Sequence, residues 1–225
     1  MFAIQPSFDQ LKDALKQEDS LFSTYFYRRI SLRITYLLIR TQITPNQITF
    51  FSLILGLVAS FLFSLGSYYY ALVGILFIHL SFLFDHVDGE IARYKKLRSD
   101  FGAWFDQVSD RIKESTAFIG LALGIYLATG SSLPLILGMF AVFNLFMIGH
   151  LRGTTSQLKF EHTSELKITS KVHIGSVDTT IFLITLAVIF DLQLYLLMLY
   201  ATFGCLAWFY QIYTRYKRST KTSRS

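Results

Sequence analysis

The sequence is poor in charge, in cysteine and in the signals of secretion. Only 16% of its 225 residues are charged, whereas 52% are hydrophobic; ordinary soluble domains carry about 25% charge. The single cysteine, Cys205, excludes an intrachain disulfide, and its apolar surroundings indicate a small buried side chain. The first 20 residues lack the basic and apolar segments of a signal peptide. We therefore expect a one-domain membrane protein whose later apolar helices direct its insertion.

Long apolar runs fill most of the chain beyond residue 44. Most approach the roughly 20 residues that a helix needs to cross a bilayer, although the second and fifth are shorter or interrupted. Turn signals at Gly66-Ser67, at 130–134 and at Asp191 separate them, and Pro45 favours a helix start. The pattern predicts an all-α integral membrane protein with six transmembrane helices. The runs are 47–66, 69–84, 103–128, 133–151, 173–190 and 192–213.

The segment before these runs mixes arginines with aromatic and aliphatic residues. From 20 to 40 this mixture predicts an amphipathic helix lying in the membrane interface, with a buried helix of a soluble domain as the alternative. We therefore divide the chain into an N-terminal arm with the interfacial helix (1–43), a six-helix domain (44–215) and a basic tail (216–225).

The basic residues are distributed unevenly along the chain. All 21 Lys and Arg fall within 12–40, 93–113, 152–171 and 215–224. With six spans, these four groups share one side of the membrane, and the positive-inside rule places them, together with both termini, in the cytoplasm. The net charge of +6 then faces an anionic leaflet of membrane lipids, so nucleic acid is not needed to explain it.

Four aspartates occur in two pairs at helical spacing. Asp85 and Asp88 are separated by three residues, and Asp106 and Asp110 by four, so each pair shares one helix face. The pairs lie at the ends of adjacent predicted helices, joined by a short basic loop. Four close carboxylates repel one another unless a cation neutralises them, and oxygen ligands suit Mg²⁺ or Mn²⁺.

A plainer interpretation applies to any one of these aspartates taken alone. It could be a solvated helix-end residue paired with Arg93, Arg111 or Lys113. The set of four, with glycines beside it, favours a metal site over that alternative. Glycines at 89 and 102 would let a nucleotide or a neighbouring helix approach the backbone closely.

These residues form an extended motif, Asp85-x2-Asp88-Gly89-x2-Ala92-Arg93-x8-Gly102-x3-Asp106-x3-Asp110. At every fixed position it resembles the signature of the CDP-alcohol phosphotransferases, also called CDP-alcohol phosphatidyltransferases. The motif spans 26 residues, and a weaker likeness in helix count extends over roughly 20–215. The resemblance implies a six-helix homodimer whose cytoplasm-facing site uses two Mg²⁺ or Mn²⁺ ions to transfer a phosphate-linked group from a CDP donor to an alcohol, with release of CMP.

The resemblance also implies roles for matching residues. Asp85, Asp88 and Asp106 would bind metal. Asp110 would associate with metal and act as the catalytic base that removes the proton of the acceptor hydroxyl. The CDP-binding set would be Asn46, Asp85, Gly89, Ala92, Arg93 and Gly102.

Residues 28–49 and 88–111 look most like the inositol-phosphate-using branch of the family. The donor is left open between CDP-diacylglycerol and CDP-inositol, and inositol phosphate or glycerol phosphate is the favoured acceptor. No cytidylyltransferase domain accompanies the motif, so we expect the donor to be made elsewhere. The basic cluster Arg152, Lys159, Lys167 and Lys171 could hold a phosphorylated acceptor or could be an ordinary positive-inside loop.

Two other classes of protein compete with this interpretation. A six-helix transporter or cation-binding membrane protein would explain the helices and acids, but not the fixed Gly and Arg spacing. A non-catalytic lipid-binding scaffold would have no need of four aspartates. CMP release that depends on Mg²⁺ or Mn²⁺ would distinguish the enzyme from both.

Overall fold

The described part of the chain is almost entirely helical. A computed structural model describes residues 11, 27–157, 167–169, 172–173 and 176–222. Within these residues each of the six predicted apolar runs forms a helix, preceded by one shorter helix. The helices are α1 (Arg28–Leu38), α2 (Pro45–Ser64), α3 (Tyr68–Tyr94), α4 (Asp100–Thr129), α5 (Leu133–Gln157), α6 (Ser176–Ile189) and α7 (Gln193–Thr222).

Two short strands lie between α5 and α6, where the all-α prediction had none. Strand β1 (Lys167–Thr169) pairs antiparallel with β2 (Val172–His173). The β-branched residues of this segment favour extended structure, but five residues in strands are too few to stand out from a polar loop in sequence. The hairpin is an addition to the predicted architecture and leaves the helices unchanged.

The helix starts and turns follow local sequence signals. Thr44 and Gln47 form a capping box before α2: the Gln47 backbone N–H donates to Thr44 Oγ1 (3.4 Å), and the Thr44 backbone N–H donates to Gln47 Oε1 (2.9 Å). Pro45 occupies the first turn, as predicted. The predicted turns also occur, with positive φ at Gly66 (66°) and Gly130 (71°).

Helices α2 and α4 contact each other backbone to backbone. A Cβ added at Gly120 would lie 2.3 Å from the carbonyl oxygen of Ser60, and one at Gly124 would lie 2.1 Å from that of Phe63. Only glycine permits this approach, which is how small residues pack membrane helices. Helix α3 packs against both α2 and α1, and α7 packs against α5 and α6.

The core and the outer surface are both apolar. Phe118, Val188 and Leu197 are fully buried between α4, α6 and α7. On the outside, Phe61 is 63% exposed and Met139 is 74% exposed, among many other large apolar side chains. An apolar exterior of this extent suits lipid rather than water.

Four of the described helices are long and apolar enough to cross a membrane. They are α2, α3, the 133–151 part of α5 and the 193–217 part of α7. Helix α6 is shorter, with 14 residues, and the first half of α4 carries the charges of the motif. The chain is therefore an integral membrane protein by composition and length, and the count of six spans stays a prediction.

Helix α1 lies against α3 on one face and is exposed on the other. Ser31 and Thr35 are buried, and their hydroxyls donate to the buried carboxylate of Glu90 over 2.8 and 2.5 Å. Arg29 and Arg33 are exposed on the opposite face. The rest of the predicted interfacial segment, 20–26, lies outside the described residues, as does nearly all of the arm before it.

Candidate metal and nucleotide site

Three aspartates from two helices converge at one end of the bundle. Asp85 and Asp88 lie on α3 and Asp106 lies on α4, and one carboxylate oxygen from each falls within 4.8 Å of the others. Asp88 is only 6% exposed. The pairwise spacing of the motif thus becomes a compact group of oxygen ligands. Such a group fits a hard divalent cation.

Thr49 of α2 fixes one of these carboxylates. Its Oγ1 donates a 2.6 Å hydrogen bond to Asp88 Oδ2, and the Thr49 side chain is buried. Partners of this kind orient the ligands of a metal site. Thr49 was not among the predicted site residues, although it follows Asn46 by three residues and so lies on the same face of α2.

Asp106 presents a free ligand atom to the group. Its Oδ1 is buried and has no hydrogen-bond partner among the residues that the structure describes. Burying a carboxylate oxygen without a partner costs free energy, so such an atom normally binds a cation or accepts a hydrogen bond. This atom, together with the all-oxygen ligand set, fits the divalent ion that the motif implies.

Asp110 is not part of this group of three and contacts Lys113, which it shares with Asp85. Lys113 Nζ lies 2.9 Å from Asp110 Oδ1 and 2.6 Å from Asp85 Oδ1. It also donates to Ser52 Oγ over 3.1 Å. The ion-pair alternative considered for single aspartates therefore holds in part, because a lysine ammonium bridges Asp85 and Asp110.

A cavity of about 350 Å³ opens beside the aspartates, between α2, α3 and α4. Asp88 and Asp106 form one wall of this nucleotide cavity, as we call it below. Five of the six predicted CDP-binding residues line it, and Asp85 does not. The five are Asn46, Gly89, Ala92, Arg93 and Gly102.

Gly102 keeps one wall of the nucleotide cavity open. A Cβ at this position would lie 3.1 Å from Asn46 Oδ1 and 3.1 Å from Ser99 Oγ, closer than ordinary contact. Arg98 also lines the cavity, which gives it a second guanidinium besides that of Arg93. Arg98 belongs to the basic loop of the sequence and was not among the predicted site residues, because its position beside the cavity depends on the turn between α3 and α4.

A second cavity, of about 470 Å³, lies between the start of α1, α3 and α6. Its lining is largely aliphatic and aromatic, with Leu76, Leu80 and Leu83 along one side. Leu83 is two residues from Asp85. We call this space the apolar cavity.

The side chains of the predicted acceptor cluster lie outside the described part of the structure. Arg152 belongs to α5 and Lys167 to β1, but the structure describes only their backbone. Lys159 and Lys171 lie outside the described residues.

Comparison with known proteins agrees with the motif. A family model described as CDP-alcohol phosphatidyltransferase matches residues 42–212. The chain is 28% identical over 202 residues to a bifunctional IPC transferase and DIPP synthase of Thermococcus kodakarensis, covering 88% of this chain and 44% of that protein. It is 37% identical over 92 residues to an archaetidylinositol phosphate synthase of Pyrococcus horikoshii, covering 41% of this chain and 47% of that protein. The chain thus spans less than half of these two relatives.

Solved structures show the same fold. The crystal structure of phosphatidylinositol phosphate synthase of Mycobacterium tuberculosis with CDP-DAG bound aligns with a TM-score of 0.67 and 21% identity, covering 83% of this chain and 94% of that one. The same protein in complex with manganese and citrate aligns with a TM-score of 0.52 and 18% identity, covering 76% and 88%. The motif, the helical fold and the family model agree, and the chain belongs to the CDP-alcohol phosphatidyltransferase family.

Proposed function

We propose that this protein transfers a substituted phosphate group from a CDP-linked donor to an alcohol and releases CMP. One observation carries the proposal: the nucleotide cavity, lined by five of the six predicted CDP-binding residues, shares a wall with two of the three converging aspartates. A diphosphate bound there would lie against the carboxylate group. A transporter or a passive scaffold has no need of this arrangement.

In this proposal Asp85, Asp88 and Asp106 hold a divalent cation, Mg²⁺ or Mn²⁺. Their ligand atoms are carboxylate oxygens, which both ions accept. When bound, such a cation offsets the charge that develops on the transferred phosphorus and on departing CMP. The solved relative with manganese bound supports this assignment by its fold.

The remaining chemistry falls to the side chains around the cation. Arg93 and Arg98 offer planar guanidinium groups to the diphosphate oxygens from the wall of the nucleotide cavity. Asp110 removes the proton of the acceptor hydroxyl, since a hydroxyl attacks poorly without a base. Lys113 holds the Asp110 carboxylate in place over 2.9 Å.

The apolar cavity favours a lipid donor over a water-soluble one. Its largely aliphatic and aromatic lining suits acyl or alkyl chains better than the polar inositol of CDP-inositol. We therefore propose CDP-diacylglycerol or a closely similar CDP-lipid. An inositol phosphate is the proposed acceptor. The relatives from Pyrococcus horikoshii and Mycobacterium tuberculosis are named archaetidylinositol phosphate synthase and phosphatidylinositol phosphate synthase. The relative from Thermococcus kodakarensis is named a bifunctional IPC transferase and DIPP synthase. The basic segment 152–171 would receive its phosphate.

The proposed setting is a homodimer with six spans, the interfacial helix α1, and the site facing the cytoplasm. The exposed arginines of α1 and the distribution of Lys and Arg along the chain support this orientation.

The test is CMP release by the purified protein in lipid nanodiscs. CDP-diacylglycerol and CDP-inositol would each be supplied with inositol phosphate, glycerol phosphate or inositol, and with Mg²⁺, Mn²⁺ or EDTA. We expect release that requires CDP-diacylglycerol, inositol phosphate and a divalent ion together. If CMP is released with CDP-inositol and not with CDP-diacylglycerol, the proposed donor is wrong but the reaction class stands.

Paired variants on α4 make the test specific to the site. Asp106→Asn should abolish turnover and weaken Mn²⁺ binding, and Asp110→Asn should abolish turnover while donor binding persists. Asp100→Asn changes an exposed aspartate in the first turn of the same helix and should leave turnover near wild type. Normal turnover by the Asp110 variant would remove the general-base assignment.

A further inference from the structure

We propose that Lys113 permanently occupies the position of one of the two cations that the resemblance implies, so that each chain binds a single divalent ion. This inference rests on the proposed function, because it concerns the same carboxylate group. It divides the four aspartates differently from the sequence prediction. Asp85, Asp88 and Asp106 serve the metal ion, and Asp85 and Asp110 share the lysine.

The position of the ammonium group carries the argument. Lys113 Nζ lies within 3 Å of carboxylate oxygens from two helices, at 2.6 Å from Asp85 and 2.9 Å from Asp110. A dication bridging these same two carboxylates would have to enter the space that the ammonium fills. A positive charge at this distance also repels an approaching dication strongly where water is scarce.

The lysine is built into the bundle rather than resting on its surface. Its side chain is 11% exposed, and its aliphatic stem crosses the face of α2 at Gly56. A Cβ at Gly56 would lie 2.7 Å from Lys113 Cγ, so only glycine leaves room for the stem. Helix α2 therefore provides a groove that is matched to this side chain.

A third partner completes the site of the ammonium group. Lys113 Nζ donates to Ser52 Oγ over 3.1 Å, and Ser52 is fully buried. The Ser52 hydroxyl uses its own proton in a 2.9 Å hydrogen bond to the backbone carbonyl of Ser81, so it meets the lysine as an acceptor. With two carboxylates and one hydroxyl, all three N–H donors of the ammonium have acceptors. Expelling it in favour of a second ion would leave Ser52 without this donor.

The inference is tested by counting bound Mn²⁺ with electron paramagnetic resonance. The full chain in nanodiscs would be titrated with Mn²⁺ alone, without donor or acceptor. We expect one Mn²⁺ per chain, with the spectrum of an isolated ion. Lys113→Met should bind a second Mn²⁺, with the spectral broadening of two neighbouring ions. Lys113→Arg keeps the charge and should again bind one.

A second variant reaches the same position without removing the lysine. Gly56→Ala should displace the aliphatic stem of Lys113 and admit a second Mn²⁺ in part of the molecules. This variant replaces Lys113→Met in the test if Lys113→Met does not fold. Two coupled ions in the wild-type protein, with normal CMP release, would overturn this inference and leave the proposed function intact. One ion in both wild type and Lys113→Met would also overturn it. No bound Mn²⁺ in folded protein would overturn the metal site together with the inference.

Discussion

Thr49 Oγ1 donates to Asp88 Oδ2 over 2.6 Å, so a side chain of α2 fixes a carboxylate of α3. The neighbouring Ser52 of the same helix receives the Lys113 ammonium. Helix α2 contributes no carboxylate to the site, but it contacts both the proposed metal ligands and the ion pair beside them.

Removing the hydroxyl of Thr49 should loosen the metal site. Thr49→Val keeps the side-chain volume but leaves Asp88 without its hydrogen bond, and we expect Mn²⁺ affinity to fall by roughly 10-fold to 100-fold, as for other residues that orient metal ligands. Isothermal titration with Mn²⁺ measures the change. Thr49→Ser keeps the hydroxyl and should remain close to wild type. Equal affinities for the Val and Ser variants would contradict the positioning role.

Enlarging Gly102 should obstruct the nucleotide cavity. In Gly102→Val the new side chain would collide with Asn46 and Ser99, which lie 3.1 Å from the position of a Cβ. We expect donor affinity to fall by at least about 10-fold, or roughly 1.4 kcal/mol, with Mn²⁺ binding retained. Equilibrium binding of CDP measures it. Phe101→Val alters the exposed neighbouring residue and serves as the control; an equal loss in both variants would show a general effect on α4.

Losing the carboxylate of Glu90 should detach α1 from α3. Glu90→Ala leaves the buried hydroxyls of Ser31 and Thr35 without their acceptor, which typically costs about 1–3 kcal/mol. Hydrogen exchange across 28–38 should become faster in this variant, while exchange across α7 stays unchanged. Arg33→Ala removes an exposed side chain of the same helix and should leave the exchange of α1 as it is.

Adding a methyl group at Gly124 should separate α2 from α4. The Cβ of Gly124→Ala would lie 2.1 Å from the Phe63 carbonyl oxygen, and a backbone atom cannot move aside cheaply. Overpacking of this kind costs about 1–3 kcal/mol, so the thermal unfolding midpoint in detergent should fall. Ile119→Ala, at an exposed position of the same helix, should change it much less. An unchanged midpoint for the Gly124 variant would mean that the two helices are further apart than described.

The sequence sufficed for the features that depend on one segment. Each apolar run became a helix because its composition alone favours one in a membrane. Asp85 and Asp88 share a helix face because of their spacing, and the same holds for Asp106 and Asp110. The family followed from the fixed spacing of the motif, and the family model confirms it.

The features that the sequence did not reveal depend on contacts between segments. Lys113 bridges two aspartates only because Gly56, more than 50 residues earlier, leaves room for its stem. Glu90 stands at a variable position of the motif, and its role depends on hydroxyls of α1. Periodicity within one segment carries no information about which face of a distant helix will meet it.

The attachment of α1 has a consequence for the surroundings of the enzyme. Glu90 accepts hydrogen bonds from the Ser31 and Thr35 hydroxyls of α1 and directly follows Gly89, which lines the nucleotide cavity. In the proposed arrangement α1 lies in the headgroup region, so its depth follows the thickness and packing of the lipids around it. If the donor binds as proposed, α1 and Glu90 connect the surrounding bilayer to the donor cavity, and we expect donor affinity to vary with bilayer composition.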